Sequence, residues 1–442
     1  MQRFIVPALC LFGLIAYLAL SSGRLSSVYK TAPNAPPERD LAVDPASPSS
    51  EAVQGVLQQL LHVPQHEVGG VAICASLRNE GRWLQEWLLY HRAVGVDRFY
   101  LYDSGSTDDT LVMLQPWIGA GTVKLFSFSH DQAGHYQTAA LETCSRTFGP
   151  TTDWLLEADL DEYHVPTPYL AGLNRSRPIP IEEIPDQPVR KLLFDNWLYK
   201  NADVIVVSRV SFKNIGHEAL PGGASVLRSQ TLRYRIVSLH LRSLVHTKKA
   251  REGWIIPGAH RLKHQTVSPK AAKIITADGH EVEAQVNDPG AAAGMEGTAY
   301  HGQYSGVRVF EPLVLYHYEE RDLEDCYRKL KVAQKLRKGG WRDKAGSEGC
   351  KKFDVYQSTD EWVPLIDGNS FYGGANRDLS MAESWFGRHL PALIAAAEKL
   401  AQEMAAKGEL RKPELIEPHP ALVEYWAAAG LSPVNGMPLE EA

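Results

Sequence analysis

From Val71 onward the chain alternates short apolar runs with amphipathic stretches, and this restricts it to an α/β fold with a largely parallel sheet. VAICASL (71–77) is a continuous apolar run, the mark of a strand covered on both faces. Trp83, Leu84, Trp87, Leu88 and His91 then recur at spacings of three and four, which predicts a helix. The same reading gives strands at 97–103 and 123–128, helices at 111–118 and 136–148, and a fourth strand, DWLLEADLDEY (153–163), that ends in acid. KLLFDNWLY (191–199), VIVVSRVSF (204–212) and VFEPLVLYHY (309–318) are further strand candidates, and 323–336 reads as a charged amphipathic helix. Residues 264–306 are rich in Gly, Ala and polar side chains and read as an insertion or long loop. Beyond Met381, alanine-rich helices are expected, broken at Pro391, Pro413, Pro418 and Pro420.

The 442 residues suffice for one large domain or two smaller ones. Ahead of the alternating region, Arg3 precedes an uncharged run from Phe4 to Leu20, at the short limit for crossing a bilayer. A membrane anchor over 1–24 and a cleaved signal peptide are both readings of it, and either delivers the body of the protein to a lumen or beyond. Residues 25–66 read as a flexible stem, with the Pro-, Ala- and Ser-rich TAPNAPPERDLAVDPASPSS at 31–50 and a short helix at 53–61. The net charge of -6 argues against a nucleic-acid partner. None of the five cysteines pairs at C-x-x-C spacing, and Cys74, inside the first strand, is expected as a buried free thiol.

The strongest chemical feature is Asp159-Leu160-Asp161-Glu162. In an extended segment Asp159 and Asp161 share a face while Leu160 points to the core. Paired carboxylates suit Mg²⁺ or Mn²⁺, and such an ion takes up the charge of a departing diphosphate. Arg78-Asn79-Glu80 follows the first strand and Asp103-Ser104-Gly105-Ser106-Thr107-Asp108 the second. In a parallel sheet these loops open on the same edge as the acid pair, where ligands of such sheets bind. N-capping is the plain structural role for Ser106 to Asp109.

RNE, YDSGSTDDT and EADLDEY, in that order, resemble the GT-A glycosyltransferases, and among them family 92, which is close to the large family 2. LYHY (315–318), followed by a helix containing Lys329, resembles that family's closing motif. The resemblance runs from Val71 to about Leu336. It implies a Rossmann-like, mainly parallel sheet flanked by helices over 67–340; residues 341–442 read from their own sequence as a mostly helical extension. It implies a metal and diphosphate site at Asp159 and Asp161, completed by His317, with Arg78, Glu80 and Asp103 as nucleotide contacts. Imidazole among carboxylates favours Mn²⁺, with Mg²⁺ as the alternative. The family implies inversion, for which Glu218 or Asp195 is the candidate base; FKNIGHE (212–218) resembles its glycine-histidine loop, departing from it at Lys213, Asn214 and Ile215.

The expected activity is transfer of a sugar, galactose by analogy, from a UDP-sugar to a glycan acceptor by a single-pass type II Golgi membrane protein with a lumenal catalytic domain. A silent glycan-binding or scaffolding protein on the same fold, and a metal-dependent nucleotidyltransferase or phosphohydrolase, are the alternatives. Lys248, Lys249, Arg251, His260, Arg261, Lys263 and His264 form a basic stretch, and Asn174-Arg175-Ser176 is a glycosylation sequon.

Overall fold

The structure is a computed structural model that describes residues 48–62, 69–128, 136–174, 177–213, 220, 224–234, 238–250, 255–258, 261–264, 273–282, 285–286, 298–300, 309–319, 321–336, 375–420 and 423–424. The expected anchor lies outside these residues; among the described ones, no helix is long and apolar enough to cross a membrane. Helix α1 (Ser50–Leu61) leads into strand β1 (Val71–Leu77), helix α2 (Gly81–Val94), β2 (Arg98–Asp103) and β3 (Val123–Phe128). Two helical turns at Thr110–Met113 and Gln115–Gly119 stand where one helix was predicted. Helix α3 (Tyr136–Phe148) precedes β4 (Trp154–Glu157) and β5 (Glu162–Pro166).

β1 pairs in parallel with β2 on one side and β4 on the other, and β2 with β3. The loops that leave β1, β2 and β4 therefore share one edge, as the sequence predicts. Helix α4 (Pro188–Asp195) then leads to β6 (Val204–Lys213), short helix α5 (Val226–Ser229), β7 (Leu232–Tyr234) and β8 (Ser238–His246). β8 runs antiparallel to both β4 and β6, which makes the sheet mixed. β9 (Ile255–Gly258) and β10 (Arg261–His264) form a separate small sheet with β12 (Gln285–Val286) and β13 (Thr298–Tyr300). Between them in the chain, β11 (Ile274–Thr276) joins β6 in the main sheet, so part of the expected loop is sheet. β14 (Leu313–His317) lies between β5 and β6. Helix α6 (Leu323–Leu336) follows as predicted, and after it β15 (Ala375–Arg377), helix α7 (Trp385–Ala406) and β16 (Glu414–Ile416). The main sheet runs β15-β7-β6-β8-β4-β1-β2-β3-β16.

Successive β1 side chains face opposite layers. Ile73, Ala75 and Leu77 belong to the larger core with Trp87, Leu88, Phe99 and Leu101. Ala72 and Cys74 face Tyr100, Tyr102, Phe126, Ala139 and Ala140 beneath α3. Cys74 is not a free thiol: it forms a disulfide with Cys144 of α3. Its strand position, which suggested a small buried hydrophobe, also aims it at the helix. Cys326 is disulfide-bonded as well.

Two further expectations are corrected. KLLFDNWLY is not a strand: Pro188 occupies the first turn of α4, where its fixed φ favours a helix start, and Val189 and Leu193 bury at a spacing of four. Pro391 does not end its helix, because α7 continues through it to Ala406. The missing N–H would have served the carbonyl of Gly387, one turn back. What holds the helix is its apolar face: Phe386, Leu390, Leu393, Ile394, Ala397 and Ala401 are buried in the larger core. Each Leu or Ile there contributes about 1.5–3 kcal/mol.

Candidate active site

The acid motif does not lie on a strand. β4 ends at Glu157, and residues 158–161 turn before β5 begins at Glu162. The Glu162 N–H donates to the Asp159 carbonyl at 3.0 Å, closing the turn. Leu160 is buried as expected. Trp87 of α2 supports the turn from below, its indole N–H donating to the carbonyls of Asp159 and Glu162, both at 3.0 Å.

The two aspartates meet different neighbours. Asp159 Oδ1 accepts from Gln137 Nε2 at 2.7 Å, and Oδ2 pairs with Arg242 Nη2. Burial, opposed by Arg242 and reinforced by Glu162 and Asp161, pushes its carboxyl up to about 7, although 37% of the side-chain surface still opens to solvent. Asp161 is more enclosed. Its Oδ2 accepts from Lys329 Nζ at 2.8 Å, while Oδ1 stands 3.6 Å from His317 Nε2 without a hydrogen bond. Burial opposes its charge, yet Lys329 and His317 hold it well below the usual carboxylate range.

His317 reaches this place because β14 pairs antiparallel with β5, setting His317 opposite Glu162. The Tyr318 N–H donates to the Asp161 carbonyl at 2.8 Å, fixing the register. The imidazole is buried, and its Nδ1 also lacks a hydrogen bond.

The loops after β1 and β2 are laced together. Asn79, at φ 56°, accepts from the Thr107 N–H through Oδ1 at 2.7 Å, and its own N–H donates to Ser106 Oγ at 2.9 Å. Asp108 caps two helical starts, accepting from the N–H groups of Gly81 (3.1 Å) and Thr110 (3.0 Å). Gly81 permits this approach: a Cβ there would lie 2.0 Å from Asp109 Oδ1. Asp103 is buried, accepting from Ser106 Oγ at 2.5 Å, and its carbonyl accepts from the Tyr136 hydroxyl. Tyr136 and Gln137 thus tie Asp103 to Asp159. Glu80 pairs with Arg321 Nη2 (2.6 Å) and Arg328 Nη2 (2.9 Å). Both arginines also pair with Asp325, which Lys329 approaches at 3.4 Å, completing a chain of charges to Asp161. Arg78 is exposed, and its carbonyl accepts from Arg328 Nη1 at 3.2 Å.

The structure therefore gathers Arg78, Glu80, Asp103, Asp159, Asp161 and His317 at one edge. It does not bring Asp195 there. That residue is exposed at the end of α4, whose Arg190 pairs with Asp97 at the opposite edge. Lys248 also sits at that edge, paired with Asp153. Glu218 lies outside the described residues, as do Arg251 and His260 of the basic stretch and Arg175 and Ser176 of the sequon. Two residues the sequence reading missed are central, Arg242 and Gln137, and Glu162, noted only as part of the acid run, proves a third. A lone arginine inside the otherwise mostly uncharged SLHLRSLVH was the available signal, because a charge buried in a central strand needs a partner.

Counted over the cluster, Glu80, Glu157, Asp159, Asp161, Glu162 and Asp325 are six acids. Arg209, Arg242, Arg321, Arg328 and Lys329 are five cations paired with them. The unbonded Asp161 Oδ1 facing a buried imidazole fits a divalent cation. Asp161 and His317 would hold it. Among the described residues no group of three His, Cys, Asp or Glu side chains is arranged to bind a metal, so further ligands would come from substrate or water.

Comparison with known proteins matches the part of the chain that carries the first of these residues. The family model described as Glycosyltransferase family 92 matches residues 69–204. Residues 69–204 are thus similar to glycosyltransferase family 92. A family 92 protein of Ricinus communis is 33% identical over 123 residues, covering 26% of this chain and 21% of the relative. One from Oryza sativa subsp. japonica is 30% identical over 103 residues, covering 22% and 16%. One from Arabidopsis thaliana is 28% identical over 116 residues, covering 25% and 18%. The matches thus span about a fifth of these relatives' lengths. Among solved structures, S. aureus TarS 1-349 in complex with UDP is 13% identical, covering 41% of this chain and 48% of its own, at a TM-score of 0.24. TarS 1-349 alone is 11% identical, covering 77% and 92%, at a TM-score of 0.25. A likeness that slight carries no argument about fold or ligand. Glu80, Asp103, Asp159 and Asp161 fall within the family 92 match; Arg242, His317, Arg321 and Lys329 come from the chain beyond it.

Proposed function

We propose that this protein is a glycosyltransferase of the GT-A type that moves a sugar, galactose by family analogy, from a UDP-sugar to a glycan acceptor with inversion. The observation that carries the reading is the unbonded Asp161 carboxylate oxygen facing His317 across the edge where the family 92 loops converge. When bound there, Mn²⁺ supplies positive charge against which a diphosphate can leave. Asp161 and His317 would hold that ion, and imidazole beside carboxylate favours Mn²⁺ over Mg²⁺. Lys329 places a second cation beside Asp161. Gln137 and Arg242 keep Asp159 oriented, and the interlaced loops around Asn79 and Asp103 wall the nucleoside side of the pocket. The Cys74–Cys144 disulfide supports folding in an oxidising lumen, and with the N-terminal apolar run it supports a type II Golgi placement.

The test is UDP titration of the full chain, with and without Mn²⁺, followed by transfer from a panel of UDP-sugars to galactose-, fucose- and glucosamine-terminated acceptors. Mn²⁺-strengthened UDP binding and a product of inverted anomeric configuration are expected. Absence of UDP binding at millimolar nucleotide would favour the scaffolding alternative.

A further inference from the structure

We propose that Arg242 is a positioning residue that sets the aim of Asp161 without touching it. The inference rests on the metal-site reading above. β8 pairs with β4 so that Leu244 faces Leu156, and two residues further Arg242 stands opposite the point where β4 has already ended. Its guanidinium occupies that gap. Nη1 donates to Glu157 Oε1 at 2.9 Å, Nη2 to Asp159 Oδ2, and Nε to Glu162 Oε2 at 2.7 Å. These three carboxylates stand at the last residue of β4, within the turn, and at the first residue of β5. One planar group therefore clamps the whole turn that presents Asp161. Glu162 Oε2 adds a cross-tie by accepting from the Asp159 N–H at 3.0 Å.

The geometry requires arginine. Three separate N–H directions from one rigid plane reach three acids, whereas a lysine ammonium is a compact point charge on a flexible stem. Arg242, Glu157 and Glu162 are buried, so two of the clamp's three arms are shielded from water, while Asp159 keeps 37% of its side chain open. Second-layer contacts of this kind commonly govern metal affinity by 10–100-fold.

The experiment measures Mn²⁺ and UDP binding to the full chain by calorimetry, with thermal unfolding recorded in parallel. Arg242→Lys is expected to fold, to bind UDP without metal within about twofold of the parent, and to lose about tenfold or more of the Mn²⁺-dependent affinity. A charge-balanced pair, Arg242→Met with Glu157→Gln, removes the clamp while keeping the net charge, and the same loss is expected. Parent-like Mn²⁺ affinity in either folded variant overturns the proposal. Failure of both to fold also overturns it, by making Arg242 a residue of the fold alone. If the parent chain itself shows no Mn²⁺-dependent UDP binding, the functional reading fails instead, and the two failures are distinct.

Discussion

The two edges of the parallel strands carry similar residue types in opposite arrangements. At the amino edge every acid has its own task. Asp97 accepts from the Val71 N–H at 2.8 Å and pairs with Arg190, while Asp153 accepts from the Gly70 N–H at 2.8 Å and pairs with Lys248. At the carboxyl edge Glu80, Glu157, Asp159, Asp161, Glu162 and Asp325 share five cations in one network, and one Asp161 oxygen is left without a hydrogen bond. The amino edge uses charge to fasten loops to strands. The carboxyl edge gathers its charges into one shared network, an arrangement that functional sites favour.

The largest expected effect separates the edges by activity. Asp161→Ala should lower transfer by about a thousandfold or more, a typical scale for losing a principal charge-stabilising group, while thermal unfolding moves little. Asp153→Asn should leave transfer within about twofold, because its hydrogen bond and ion pair serve the fold alone. Transfer by Asp161→Ala at the parent rate would erase the distinction.

Next comes the disulfide. Cys74 and Cys144 are 70 residues apart, which in the chain-entropy view is worth about 4 kcal/mol. The link also holds α3, and with it Tyr136 and Gln137, against the carboxyl edge. Replacing both cysteines by Ala should lower the denaturant midpoint and weaken Mn²⁺-dependent UDP binding, without altering the amino edge.

Acid titration sharpens the contrast further. His164 is buried behind the acid turn, and burial lowers it to about 4; His91 beside it is lowered as well. The unfolded chain therefore binds more protons than the folded one between about 6.5 and 4. Stability from this source is complete above that window and falls as pH drops through it, by about 2 kcal/mol at pH 5 for His164 alone. His164→Gln should flatten urea midpoints measured between pH 7.5 and 5. Asp153 works at lower pH: Lys248 and the Gly70 N–H outweigh burial and hold it below its ordinary value, so its contribution survives at pH 5. An unchanged slope in His164→Gln would assign the loss elsewhere.

The smallest effect belongs to the amino edge alone. Asp97→Ala strips a partner from the Val71 N–H and from Arg190, and should cost about 1–3 kcal/mol in urea unfolding with metal-dependent UDP binding unchanged.

Much of this was readable from the residues. The strands β1 to β4 and the helices α2, α3 and α6 follow from periodicity, because each buries a face that its own spacing defines. Asp159 and Asp161 were singled out because paired acids follow a strand signal, and His317 because LYHY resembles the closing motif of family 92. What escaped depended on partners distant in sequence. Arg242 matters only because β8 returns beside β4, and Gln137 only because α3 starts beside the acid turn. Glu86 of α2 is likewise buried against a distant partner, accepting from Ser225 Oγ and the N–H groups of Val226 and Leu227 to cap α5. The apolar run in 191–199 misled because periodicity cannot separate a short buried helix from a strand, and Pro188 was the overlooked tiebreaker.

Helix α7 carries a practical consequence. Its apolar face backs the sheet through α1 and α2, and β16 beyond it borders β3. A fragment trimmed to the stretch shared with plant relatives would present a raw hydrophobic flank and an unpaired strand margin to solvent. The smallest piece that folds by itself should thus reach from near Ser50 to past Ile416, far outside the borders that sequence kinship would draw.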